Sequence, residues 1–290
     1  MVPSMLLPLG VAIALSIGLT ACHRRLPPAV SARLVAITLA AVIAAAVPTL
    51  WIISLGSLTH ITFLGSDLMW CAHAMGVERH VPTWIGFAAV GLSAFGLVRL
   101  RSVVRSYRRL CHDQSCGVEI ADHAKPFAYT LPGRGGHVVV SSALVAMLDS
   151  SEQGIVLAHE QAHARFRHDR YLLGAQMAAA LLPILRPLAG RLQFSLERWA
   201  DEAAVAHCGD RRLVARTLGK VALRGAMPAG AIGFAGLGVP ARVAALLAPP
   251  MTSIRVVGRV VVWSSVAVIG LLAALQVHHL AGLVTALCLS

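Results

Sequence analysis

The sequence predicts a mainly α membrane protein: about four transmembrane helices plus one cytoplasmic α+β domain with a small β-hairpin or sheet. Three observations carry this. The chain of 290 residues is 57% hydrophobic and only 13% charged, where soluble domains run about 25% charged. Four apolar stretches are long enough to span a bilayer. Between the third and fourth lies a more polar stretch with turn chemistry and a helix-capping signal. The formal charge of +12 has a use in orienting the spans, so no nucleic-acid partner is expected.

The first span is expected near 5–22. Its arginines follow the apolar run and no small-residue cleavage site appears, so it reads as a retained anchor rather than a removed signal. The second is expected near 34–56, with Pro48 inside it, and the third near 81–98. The fourth begins at Val260 and runs past Val277. These place an N-terminal membrane region at 1–110, a cytoplasmic domain at 111–258 and a C-terminal transmembrane helix at 259–290. Arg24, Arg25 and Arg33 follow the first span. Arg99, Arg101, Arg105, Arg108 and Arg109 follow the third, and Arg255 and Arg259 precede the fourth. Basic short loops stay in the cytoplasm. The consistent solution is a multi-pass protein of the cell membrane, with the N-terminus, the 57–80 loop and the C-terminus outside. Tyr171–Gly190 is a fifth apolar stretch, interrupted by Pro183, Pro187 and Arg186. It is expected to be a hairpin or juxtamembrane helix, for a reason given below.

Six cysteines make no framework. Cys71 and Cys288 both fall outside on this topology and are able to pair, which spacing alone does not decide. Cys111 and Cys116 around His112, and Cys71 with His73 and His80, are weak metal patterns.

Within the central domain, Phe127–Leu131 and His137–Ser141 read as strands joined by the turn Pro132-Gly133-Arg134-Gly135-Gly136. The run His137–Val140 suits an exposed sheet edge able to accept an extended peptide, or equally a core strand. A short helix is expected at Ser142–Leu148. Ser150 with Gln153 fits a capping box opening a longer helix. That helix carries His159-Glu160-Gln161-Ala162-His163. Residues four apart share a helix face, so the two imidazoles point to one place with Glu160 beside them. This H-E-x-x-H spacing suits zinc, which takes imidazoles and carboxylates and, in catalytic sites, keeps one position for water. A glutamate near that water serves as general base. Downstream, Leu196–Ala204 reads as a helix with Glu197 and Asp201 on one face. Glu197 is the candidate third ligand, and Asp201 the candidate hydrogen-bond acceptor for a ligand imidazole. One zinc ion, with Glu160 as catalytic residue and His159, His163 and Glu197 as ligands, is the expectation. If 171–190 crossed the bilayer, His159 and Glu197 would lie on opposite sides. His207 is the candidate group for stabilising an oxyanion.

Ala158–Arg170 together with Glu197–Ala204 resembles the gluzincin membrane peptidases, and specifically the BlaR/MecR-type family of integral-membrane zinc metallopeptidases. The stretch from Ala128 to His163 and the later Ala241–Pro250 are similar to that family's core. The resemblance covers roughly 30–285. It implies a zinc-dependent metalloendopeptidase, a hydrolase acting on a protein or peptide substrate in signal transduction, with a cytoplasmic repressor as the type of partner. Family members carry an extracellular penicillin-binding sensor domain after the last span. With Ser290 as the last residue, the expectation is a member lacking it. Two other classes stay open: a membrane-protein quality-control metalloprotease, and a non-enzymatic signalling module in which zinc only holds the fold.

Overall fold

The computed structural model describes residues 23–58, 83–111, 117–133, 136–224 and 238–249, with isolated helical positions at 18 and between 263 and 278. The description is mostly helical. In chain order it comprises α1 (Pro28–Leu58), α2 (Thr83–Cys111), β1 (Val118–Ala121), β2 (Ala128–Thr130), β3 (Val138–Ser141) and α3 (Ser142–Met147). These are followed by α4 (Ser150–Arg165), α5 (His168–Leu181), α6 (Arg186–Cys208), α7 (Arg211–Arg224) and α8 (Val239–Leu247).

Two helices, α1 and α2, are long and apolar enough to cross a membrane by length and composition. They contain the expected second and third spans. The third differs in length, because α2 continues through the arginine-rich stretch to Cys111 as one helix. Its apolar half leaves Trp84, Phe87, Phe95 and Val98 exposed, a lipid-facing pattern in a membrane helix and an oddity in a soluble one. The expected first span and most of the fourth lie outside the described residues, as do Cys71, His73, His80, His112, Cys116 and Cys288.

The sheet has three strands in the order β1-β3-β2. β2 pairs antiparallel with β3 as the hairpin predicts, Ala128 opposite Val140 and Thr130 opposite Val138. β1 pairs parallel on the other side, Val118 opposite Val138. This corrects the sheet-edge expectation. β3 is the middle strand, and Val138, Val139 and Val140 are all buried. A run of three β-branched residues belongs where both faces are covered. The edges are β1 and β2. The turn back into β3 needs Gly136. Its φ is +63°, and a Cβ there would stand 2.4 Å from that of Ala164 on α4, so this glycine lets the hairpin lie against α4.

The cap of α4 is also shifted by one residue from the expectation. Asp149, not Ser150, is the N-cap: its carboxylate accepts from the Glu152 amide at 2.9 Å, and Glu152 Oε2 accepts from the Asp149 amide at 3.1 Å. Gln153 turns back instead and donates to the carbonyls of Val145 and Leu148 at the end of α3.

Two apolar clusters flank the domain. Ile155 and Val156 of α4 pack with the sheet, Leu144 of α3, Val214 and Leu218 of α7, and Leu246 of α8. On the other side, Ala32, Val35, Leu39 and Val42 of α1 pack with Leu172, Ala175 and Ala178 of α5 and Leu192 and Leu196 of α6. A hydrogen bond of 2.8 Å between the Ser31 and Ser195 hydroxyls pins α1 to α6. The apolar stretch 171–190 is thus a helical hairpin. Its prolines start helical turns rather than break a span: Pro183 opens a 3-10 turn at Pro183–Leu185, and Pro187 sits in the first turn of α6. The hairpin brings α6 back beside α4.

Candidate metal centre

The buried face of α4 reads Glu152, Ile155, Val156, His159, Glu160, Ala162 and His163. The spacing is that of one helical stripe. After the capping Glu152, Ile155 and Val156 enter the core. The second half of the stripe carries three ionisable side chains onto the same buried face, which is costly unless each is partnered. The partners come mainly from α6, whose buried stripe includes Glu197 and Asp201.

His159, His163 and Glu197 each offer one ligand atom, and these atoms lie within 4.8 Å of one another. The two Nε2 atoms are 3.2 Å apart. Glu197 Oε2 is 3.6 Å from His159 Nε2, and its Oε1 is 3.5 Å from His163 Nε2. Ligands about 2.0 Å from a tetrahedrally coordinated zinc stand about 3.3 Å from one another. The three donors therefore match the span of one small cation, and two imidazoles with one carboxylate are a zinc donor set.

The other ring nitrogens decide where the lone pairs point. His159 Nδ1 is 3.2 Å from Asp201 Oδ1. A carboxylate only accepts, so His159 carries its proton on Nδ1 and turns the Nε2 lone pair to the cluster. His163 Nδ1 is 2.8 Å from Nδ1 of the fully buried His168. With the proton on His163 donating to His168, His163 Nε2 is also a lone pair. His168 is not among the residues predicted from sequence. It reaches back because Arg167 takes a left-handed conformation (φ 55°) between α4 and α5, which folds the next residue onto the preceding helix.

Two further side chains went unpredicted. Thr130, on β2, places its hydroxyl 2.8 Å from both the carboxylate Oε2 and the backbone carbonyl of Glu160. With one proton to donate, it serves one of them at a time. Arg242, on α8, is fully buried. It donates to both oxygens of Asp201 at 2.8 and 2.6 Å and pairs with Glu197 Oε2 at 2.8 Å. Its signal was present in the stretch Ala241–Pro250, but nothing in the residue's type or spacing tied it to a carboxylate 41 positions upstream. His207 is exposed. Its Nε2 lies beside Gly154, more than a turn of α4 before His159, so the oxyanion expectation is not supported.

The electrostatics follow from this set. Around the cluster, three buried carboxylates (Glu160, Glu197 and Asp201) meet the guanidinium of Arg242. With neutral imidazoles the excess is two negative charges, which a divalent cation neutralises. Burial, the largest single influence, raises the pKa of Glu197 and Asp201, but Arg242 and His159 together outweigh it and hold both below their ordinary values, Asp201 far below. Burial likewise pulls His159 down, yet its contacts with Asp201 and Glu197 raise it to about 9. A proton there is how the side chains alone relieve part of the excess, and metal binding at Nε2 competes with it. Burial is the largest influence on His163 and His168, pushing the first well below its ordinary value and the second to about 3. Both are neutral imidazoles.

The model of peptidase family M48 matches residues 110–191. That stretch contains β1 to β3, His159, Glu160, His163 and His168, and ends before Glu197. No curated protein and no solved structure matches the chain. Over residues 110–191, less than a third of its length, the chain is similar to the M48 peptidases, which supports a metallopeptidase.

Proposed function

We propose that the chain is an integral-membrane zinc metalloendopeptidase hydrolysing peptide bonds of a protein substrate. Residues 1–110 and 259–290 form its membrane region and 111–258 its cytoplasmic catalytic domain. The observation that carries this reading is the buried His159–His163–Glu197 cluster with Glu160 on the same helix face. A closed structural site needs a fourth ligand and has no use for a buried glutamate that stands outside the donor set.

His159, His163 and Glu197 would hold the zinc ion, which when bound would lower the pKa of a water to about 7 and polarise the scissile carbonyl. Glu160 takes the proton of the attacking water and returns it to the leaving amine. Thr130 fixes the rotamer of the Glu160 carboxylate. Asp201 and His168 hold the two imidazoles in the tautomer that binds metal, and Arg242 keeps Glu197 and Asp201 ionised and in place. The likeness of the motifs to the BlaR/MecR-type peptidases supports a signalling role, with a repressor or other regulator as substrate.

The test uses the full chain in detergent. It should cleave casein, stop when zinc is chelated and recover when zinc is restored. Casein left intact with zinc bound would instead favour a module in which metal only holds the fold.

A further inference from the structure

A cavity of about 460 Å³ lies beside the metal cluster, on the adjoining face of α6, between the start of α1 and helix α8. Its volume falls in the range of sites for organic ligands, about 300–1,000 Å³. Arg24, Arg198 and Arg211 line it, with Glu202 the one carboxylate among the lining residues. Arg211 engages both oxygens of Glu202 at 2.6 and 2.9 Å, and also reaches the carbonyls of Leu246 and Ala245 at the end of α8. The guanidinium of Arg24 rests over the Phe194 ring, 5.4 Å from its centroid. Arg198 is buried and donates to the Arg24 carbonyl. The lining residues thus sum to three guanidiniums against one carboxylate, two positive charges in excess.

Two more features set the ligand's character. Pro27 and Pro28 on the wall mark the N-terminus of α1, a 31-residue helix with no acidic residue in its first turn. Its free amides and dipole add positive potential there. The opposite wall is aliphatic, made by Ala244, Ala245 and Ala248 of α8. A bare anion would satisfy the arginines and leave that wall against water. The position also bears on the source. Arg24 follows the expected first span by two residues, and Pro28 opens a helix able to cross the membrane.

We propose that this cavity binds a phosphate-bearing lipid headgroup, the phosphate between Arg24, Arg198 and the α1 N-terminus, the glycerol and first methylenes on the alanine wall. Bound there, the headgroup braces α6 against α8. Arg198 adjoins Glu197 in the chain and Ala241 adjoins Arg242, so the brace acts on the two helices that share the carboxylate–guanidinium clamp. The site does not depend on whether the zinc cluster cuts peptides.

The test is calorimetric titration of the full chain in detergent with dihexanoyl phosphatidic acid, with dihexanoylglycerol and with inorganic phosphate. The phosphatidic acid should bind at least about tenfold more tightly than the neutral lipid, because charge-assisted hydrogen bonds are the strong ones. Arg24→Gln removes an exposed guanidinium, and Ala244→Phe fills the cavity from its exposed rim. Each should weaken phosphatidic acid about tenfold, with melting temperature and zinc content unchanged. Inorganic phosphate binding as tightly as the lipid, with the same loss in Arg24→Gln, keeps the anion site and overturns the lipid as its source. Variants that bind like wild type, or a neutral lipid that binds like phosphatidic acid, overturn the proposal.

Discussion

At the scale of single residues, the centre depends on side chains that touch no substrate. Asp201 and His168 stand against the Nδ1 atoms of His159 and His163, which leaves the two Nε2 atoms facing one place. Replacing such partners costs about 10–100-fold in metal affinity. Asp201→Ala and His168→Ala are each expected to weaken zinc binding by that factor while leaving the helices folded, measured by competition with a chelating dye. Wild-type affinity in either variant would reduce that residue to core packing. The five residues of the H-E-x-x-H and E-x-x-x-D motifs were readable as candidates because both spacings are helical and imidazoles and carboxylates are zinc donors. Thr130 and Arg242 were not. One hydroxyl on a three-residue strand and one arginine in an apolar helix have no local pattern. Their role exists only once tertiary packing sets them against Glu160 and Asp201.

At the scale of elements, α4 owes its start to the Asp149–Glu152 box. Hydrogen bonds from Ser151 and the Glu152 amide are the main reasons the Asp149 carboxyl lies below its ordinary value. A depressed carboxylate contributes stability that is present above its unfolded pKa and lost as pH falls through the folded one. Asp149→Ala should therefore lower the melting temperature at neutral pH, and the gap from wild type should close in acid, below the ordinary aspartate range. A gap that persists there would mean the cap acts through shape alone. The one-residue error in the predicted cap came from two overlapping matches to the same motif, Asp149-x-x-Glu152 and Ser150-x-x-Gln153. Asp149 took the cap because an ionised carboxylate makes a charge-assisted, stronger hydrogen bond to the helix amide. The sheet gave a similar lesson. The hairpin was legible from its turn, but β1, four residues long and exposed on three of them, carries too little pattern, and without it β3 looked like an edge. The edge beside the metal centre is β2. Its pairing with β3 turns the backbone of Ala128 and Thr130 outward. As a hypothesis, substrate adds there as an extended strand. Ala128→Pro removes one outward N–H and leaves the β3 ladder whole. It should raise KM for peptide cleavage with zinc content unchanged, and an unaltered KM would exclude β2 as the docking edge.

At the scale of the whole molecule, α5 and α6 connect the long apolar helix α1 to the domain that carries the metal-donor cluster. Composition and hydropathy made α1 and α2 visible, because a lipid-facing helix needs only length and apolar side chains. They marked only the apolar part of α2; that it runs on to Cys111 was not legible from hydropathy, since arginines continue a helix nearly as well as leucines do. The apolar 171–190 stretch could be read as a hairpin only through the chemistry of His159 and Glu197, which requires both on one side. The central claim is that His159, His163 and Glu197 hold zinc and Glu160 moves the proton. The most direct measurement is zinc content beside peptide cleavage for wild type and Glu160→Gln, purified alike in detergent. General acid–base groups contribute about 10²–10⁴-fold, so the variant should keep one zinc per chain and lose at least about a hundredfold in kcat. Loss of zinc from the variant, or cleavage at the wild-type rate, would contradict the account.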